Sequence, residues 1–348
     1  MTNPPVPSAR PAPAADDADL VRDIVGGDAL RQRRAVGRAI TLIESTRVDH
    51  RERADAVLEA LPVPATAAWR LGVSGVPGVG KSTFIESLGL RMIEQGHRVA
   101  VLAVDPSSSV SGGSILGDKT RMDRLSVHAQ AFVRPSPSSG TLGGVAAATR
   151  EAIRVVEAAG YDQVIVETVG VGQSEAAVAA MTDLFVLLQL PNAGDELQAI
   201  KKGVMELADL IVVNKADLDP AAAERAVGQW RMAGQLAVGR GRVAPVPVLA
   251  TSALDPTQVD TVWRTLQALR VTAAADDGIA TRRRAQGRAW LWERVEAGLR
   301  RDFRSHALVK ARLAETLRAV DAGELSPTAA ARRLLEWFGR PSTASADD

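Results

Sequence analysis

Nine residues, Gly75-Val76-Pro77-Gly78-Val79-Gly80-Lys81-Ser82-Thr83, constrain this chain more than any other stretch. They follow an apolar run from Trp69 to Ser74 and precede an amphipathic one from Phe84 to Ile93. Strand, glycine-rich loop and helix in that order, with G-x-x-x-x-G-K-[ST] spacing, describe a phosphate-binding loop. The glycines let successive backbone N–H groups turn inward around a phosphate chain, and the helix presents its positive end to it. Lys81 is placed to reach the terminal phosphates and Ser82 to offer its hydroxyl to a magnesium ion. A loop of this kind implies a nucleoside triphosphate as ligand and an α/β fold as its carrier.

The rest of the chain agrees with such a fold. Short continuous apolar runs at Val99–Val104, Val164–Val166, Leu184–Leu190, Leu210–Val213 and Val246–Leu249 read as strands buried on both faces of a parallel sheet. Helical patterns lie between them, among them Val145–Ala159 and Leu197–Leu207. A doubly wound, mostly parallel domain is expected over residues 67–275, with ligands at the C-terminal ends of its strands. Ahead of it, residues 18–66 read as a helical extension with Val36, Ile40 and Ile43 on one face, closed by Pro62 and Pro64. Behind it, residues 276–340 turn helical again, with Trp292, Val295 and Leu299 sharing a face, and read as a packing or dimerisation arm. The Pro- and Ala-rich residues 1–17 and the tail 341–348 are expected to be disordered.

Composition narrows the partners. Basic and acidic residues nearly cancel at net +1, and only one Tyr and five Phe are present, so neither a basic field nor a base-stacking surface points to nucleic acid. No apolar run reaches the eighteen or so residues of a membrane span, and the N-terminus lacks the pattern of a secretory signal or transit peptide. The absence of cysteine fits a cytoplasmic protein and removes thiolate metal sites and Cys nucleophiles.

The base is indicated by Asn214-Lys215-Ala216-Asp217, directly after the strand at Leu210–Val213. An Asp carboxylate there accepts both N–H donors on guanine's pyrimidine edge. Adenine offers a lone pair instead, and an unpaired buried acceptor gives discrimination of roughly 10⁴–10⁵. Ser252-Ala253-Leu254, after the next strand, stands where a GTPase closes the base pocket with backbone groups. The order of the three motifs selects GTP over ATP and a P-loop GTPase domain. Between them, Glu167-Thr168-Val169-Gly170 resembles the D-x-x-G of signalling GTPases with Glu for Asp. Gly170 N–H would sense the γ-phosphate, and Glu167 would orient metal-bound or attacking water. Asp105, at another strand end, is a second carboxylate for the metal. Each carboxylate also has an ordinary reading as a helix cap or turn residue.

Val171 follows Gly170, where Ras-like GTPases carry a water-positioning Gln, and Gln173 lies two residues further on. A valine cannot hydrogen-bond a nucleophile. Slow intrinsic hydrolysis is therefore expected, with missing groups arriving when a partner binds; such groups are worth roughly 10³–10⁵ in rate.

Longer motifs carry a resemblance. Asp105–Ser109 with Gly112–Met122, then Arg134–Gly144, then Glu167–Glu175 resemble the methylmalonyl-CoA mutase-associated GTPases, the MeaB/ArgK group that includes the human methylmalonic aciduria type A protein. The likeness runs from about Leu20 to Phe338. It implies a homodimeric G-protein chaperone that binds a B12-dependent acyl-CoA mutase, gates adenosylcobalamin transfer from an adenosyltransferase, and protects or rescues the mutase. On that analogy Lys81, Ser82, Asp105, Asp118 and Glu167 serve phosphates, metal and hydrolysis, and Asp217 reads guanine. Magnesium is the implied cofactor, GTP and GDP the substrate and product, and no cobalamin site is expected on this chain. The segment 194–203 matches a mobile switch in which Gln198 and Lys201 swing toward the nucleotide once the mutase is bound. Asn192 and Ala199 stand where Gly is expected, and neither change removes a functional group.

Other readings remain open from the residues alone. Related GTPases deliver nickel or zinc through Cys or His clusters, whereas here His50, His97, His128 and His306 are scattered. A P-loop kinase linked to basic amino-acid transport needs an acceptor site, for which no separate motif is present. An assembly scaffold with negligible turnover is the non-enzymatic alternative.

Overall fold

The computed structural model describes residues 15–104, 122–135, 142–168, 174–192, 203–237 and 244–339. Contacts divide the chain into two units, one up to Ala280 and one from Thr281.

The first unit is a seven-stranded parallel sheet with helices on both faces. In chain order its strands are β1 (Trp69–Gly75), β2 (Val99–Val104), β3 (Ala131–Arg134), β4 (Gln163–Thr168), β5 (Leu184–Gln189), β6 (Leu210–Asn214) and β7 (Val248–Thr251), arranged β3-β2-β4-β1-β5-β6-β7. The phosphate-loop strand β1 is thus central, in register with β4 through Val73↔Glu167 and with β5 through Gly75↔Leu188. Helix α4 (Lys81–Glu94) leads from β1 outward to β2, on the opposite side from β5. The strand order therefore reverses beside β1, and such a switch point opens a crevice at the strands' C-terminal ends.

Two apolar layers clamp the sheet. On one face Phe84, Ile85, Leu88 and Met92 of α4 pack with Val73, Val101, Ile165, Val186 and Val212, joined by Val259, Val262 and Trp263 of α9 (Pro256–Ala274). On the other face lie α1 (Ala15–Gly26), α2 (Ala29–Glu44), α3 (Val48–Ala60), α6 (Leu142–Ala158) and α8 (Pro220–Ala237). The short α5 (Asp123–Val127) precedes β3, and α7 (Ser174–Ala179) precedes β5. Val36, Ile40 and Ile43 form the predicted face of α2 and are buried against this second layer with Leu20, Ile24 and Val57. Arg98 ties the helices to the sheet by donating to Gln32 Oε1 at 2.7 Å and to the Ala159 carbonyl at 2.8 Å.

Three local expectations shift. Helix α1 begins at Ala15, inside the stretch 1–17 expected to be disordered, because buried Asp17 accepts from Arg53 at 2.7 and 3.0 Å. Strand β3 was not foreseen; four residues, A-F-V-R, are too few for a periodic signal. Strand β7 starts two residues later than Val246, since Pro245 and Pro247 cannot donate to the ladder.

The second unit, described by itself, holds most of α10 (Gly278–Ser305) with α11 (Ala307–Asp321) and α12 (Pro327–Phe338). Phe303 and His306 meet the Phe338 ring at 5.4 Å, and Val309 and Ala330 are buried between helices. Helix α10 buries no residue along its 28 positions, and its stripe of Leu291, Trp292, Val295 and Leu299 is exposed. No helix among the described residues is long and apolar enough to cross a membrane.

Candidate functional site

The phosphate loop leaves β1 where its backbone passes close against β5. A Cβ on Gly75 would stand 2.6 Å from the Leu188 carbonyl oxygen of β5, so only glycine lets the strand end here. Val79 is fully buried in the α4-side core, which anchors the loop from beneath. Gly80 caps α4 in the left-handed region at φ 89°, and a Cβ there would meet Asn214 Nδ2 at 2.9 Å. Lys81 opens the helix, and its Nζ donates to the Gly75 carbonyl at 2.7 Å, holding the ammonium against the loop's own entry. Ser82 and Thr83 follow in the first turn, beside the positive end of the helix.

The base-reading segment is bonded directly to this loop. Asn214, buried at the end of β6, donates from Nδ2 to the Val79 carbonyl at 2.8 Å. Its Oδ1 accepts from Ala253 N–H at 3.1 Å. One side chain thereby joins three separate motifs. Ser87 of α4 adds a second strut by donating to the Ala253 carbonyl at 2.7 Å. Ser252 N–H donates to Gln258 Oε1 at 2.7 Å, and Asp255 caps α9 by accepting from Thr257 N–H at 2.8 Å. Leu254 N–H turns back to Ser252 Oγ at 3.3 Å while its side chain is exposed.

Lys215 adopts φ 61°, a left-handed conformation uncommon outside glycine. That kink lets Ala216 N–H reach the Thr251 carbonyl at 3.1 Å and Leu218 N–H the Lys215 carbonyl at 3.2 Å. Asp217 sits in the turn so formed, with an exposed side chain. Gly75–Thr83, Asn214, Lys215, Asp217, Ser252, Ala253 and Leu254 therefore converge at one end of the sheet.

Glu167 reaches the same end from β4. It is 3 % exposed and pairs in register with both Val73 of β1 and Ala103 of β2. Ile165 belongs to the α4-side core, so two-residue alternation puts Glu167 on the face that α4 and its loop occupy. Next to it, Thr168 and Ser74 hydroxyls share a buried hydrogen bond of 2.8 Å between β4 and β1. Asp105, Asp118, Gly170, Gln198 and Lys201 lie outside the described residues.

The donor chemistry fits magnesium. Ser82 and Glu167 offer oxygen, the ligand type that a small hard cation takes. Among the described residues no group of three or more His, Cys, Asp or Glu is arranged to hold a metal. An ion bound mostly through nucleotide phosphates, with one or two protein oxygens, needs no such cage.

Sequence reasoning assigned Asn214 to the base and missed its bracing of the loop, along with Ser87 and Gln258. The Asp255-Pro256 pair was the one readable signal, as a helix start.

Known proteins share this architecture. A family profile described as "Methylmalonyl Co-A mutase-associated GTPase MeaB" matches residues 36–307. A putative GTPase of Caulobacter vibrioides is 50 % identical over 327 residues, covering 94 % of this chain and 99 % of its own. The GTPase ArgK of Escherichia coli is 42 % identical, covering 88 % and 93 %. The mitochondrial methylmalonic aciduria type A homolog of Mus musculus is 44 % identical, covering 88 % and 77 %. A crystal structure described as LAO/AO transport system kinase superposes with a TM-score of 0.70 at 33 % identity, over 94 % of this chain and 98 % of that one. The chain is a GTPase with a phosphate loop at the centre of a parallel sheet, and it belongs to the methylmalonyl-CoA mutase-associated GTPase family, MeaB.

Proposed function

We propose that this GTPase is a chaperone for a B12-dependent acyl-CoA mutase, with methylmalonyl-CoA mutase as the first candidate. GTP binding and hydrolysis would gate the loading of adenosylcobalamin from an adenosyltransferase and protect or reactivate the mutase. The observation that carries the reading is the Asn214 brace. It makes the phosphate loop, the N-K-x-D turn and the Ser252–Leu254 turn one mechanical unit, so that guanine and phosphates are felt together. The family's own description and the methylmalonic aciduria type A relative support a mutase as client.

In this reading Lys81 exchanges the Gly75 carbonyl for the terminal phosphates, and Asp217 pairs with guanine. Ser82, Asp105, Asp118 and Glu167 would hold magnesium, which when bound neutralises charge building on the phosphates. Gly170 N–H reports the γ-phosphate. Val171 leaves the water without a hydrogen-bonding neighbour, and Gln198 and Lys201 supply the missing contacts when the mutase docks. The exposed stripe of Leu291, Trp292, Val295 and Leu299 on α10 fits a dimer contact with a second copy. A helical extension from residue 15 to 66, a GTPase domain over 67–275, an arm over 276–340 and a cytoplasmic setting belong to the same proposal.

A kinase is the second reading, favoured by the superposition on a protein so described. Turnover of GTP and ATP with and without a purified B12-dependent mutase separates the two. GTP hydrolysis stimulated at least tenfold by the mutase supports the chaperone. Phosphate transferred to an acceptor, or a rate indifferent to the mutase, refutes it.

A further inference from the structure

A cavity of about 590 Å³ opens between helices α2 and α3 and the end of β3, within the first unit. That volume falls in the range of small-molecule sites. Among the described residues four arginines line it, Arg34 and Arg38 from α2, Arg53 from α3 and Arg134 from β3, together with His50 and no carboxylate.

The four guanidiniums fall into two kinds. Arg53 is held by Asp17 through Nε and Nη2, and Arg134 by Glu44 through the same two atoms. Both carboxylates are largely buried, so these arginines are fixed in place, and among the described residues their Nη1 donors bond nothing. Among the described residues Arg34 and Arg38 make no hydrogen bond or ion pair. They stand at i and i+4 on one helix, where like charges repel. From Leu30 to Ile43, α2 carries no acidic residue to offset them.

Gly37 leaves room on one wall of the cleft. It lines the same cavity from the middle of α2, where glycine weakens a helix relative to alanine. Among the described residues nothing beyond its own turn of helix stands within 4 Å of a Cβ built there, so the cleft is open to the helix backbone at this point. A ligand can therefore lie close against the helix backbone here.

We propose that this cleft is a second anion site, which takes a small molecule carrying a phosphate ester or pyrophosphate. Planar guanidinium forks suit phosphate oxygens, and several arginines lining one open cleft match a multiply charged group better than a lone carboxylate. An acidic segment of a protein is the competing occupant.

The test uses the full chain saturated with GDP and excess magnesium, so that the phosphate loop is filled, titrated calorimetrically with inorganic pyrophosphate. One saturable site per chain is expected. The double variant Arg34→Gln/Arg38→Gln, whose side chains bond nothing among the described residues, weakens it at least tenfold and leaves GDP affinity unchanged. Gly37→Ala raises the melting temperature yet weakens pyrophosphate binding. The proposal is overturned by the absence of saturable binding, by undiminished binding in the double variant or in Gly37→Ala, or by hexaglutamate binding more tightly with the same arginine dependence. That last result would give the cleft to an acidic protein segment.

Discussion

Asn214→Ala removes the side chain that joins the nucleotide loops. Two hydrogen bonds disappear, to the Val79 carbonyl and from Ala253 N–H, and both of those residues are buried. Each bond contributes about 0.5–1.5 kcal/mol net, and a buried partner left unsatisfied costs about 1–3 kcal/mol. Some relaxation and entering water reduce the total, so a loss of about 2–4 kcal/mol in unfolding free energy is expected. The nucleotide must then order a loosened loop, and an affinity loss of about tenfold corresponds to ~1.4 kcal/mol, the scale of one such bond. Urea unfolding of the nucleotide-free chain and fluorescence titration with a labelled GDP read the two effects separately. Asn214→Asp dissects them further. It keeps an acceptor for Ala253 N–H but sets a carboxylate against the Val79 carbonyl, so it should weaken nucleotide binding at least as much as alanine does. Unchanged urea midpoint and unchanged GDP affinity in Asn214→Ala would refute the brace.

Other outcomes are checked more briefly. Asp217→Asn should weaken GTP binding at least tenfold while the melting temperature holds, because its side chain is exposed; unchanged affinity removes the base-reading role. Gly80→Ala places a Cβ 2.9 Å from Asn214 Nδ2 in a left-handed backbone and should cost about 1–3 kcal/mol, read as a lower melting temperature with weaker GTP binding. Lys201→Ala should lower mutase-stimulated turnover more than basal turnover, and equal losses would count against a partner-driven switch. Asp260 is held below its usual 3.8 chiefly by the Arg91 hydrogen bond between α4 and α9. Its contribution is therefore present above that value and lost as pH falls through the lowered one. Asp260→Asn should be less stable than the parent at pH 7, with the difference vanishing in acid; a gap that persists below pH 2 would contradict this.

The elements most legible in the chain were those whose chemistry is local. The spacing of Gly75, Gly80, Lys81 and Ser82 requires a strand before and a helix after, and continuous apolar runs such as Val99–Val104 announce strands covered on both sides. Strand β3 was invisible because its burial comes from β2 and Tyr161 rather than from its own pattern. The start of α1 was misplaced because Asp17 is buried only by virtue of Arg53, 36 residues away.

The same division runs through the site. Sequence alone determined the ligand class and the base, since a glycine-rich loop and an N-K-x-D turn are contiguous and their functional atoms come with the motif. Only the tertiary structure decided that Asn214 spans 135 residues to the loop and 39 to Ala253, that Glu167 lies on the α4 face between β1 and β2, and that Arg34, Arg38, Arg53 and Arg134 line one cleft. Those relations depend on strand order and helix packing, which bring together residues that no spacing along the chain connects.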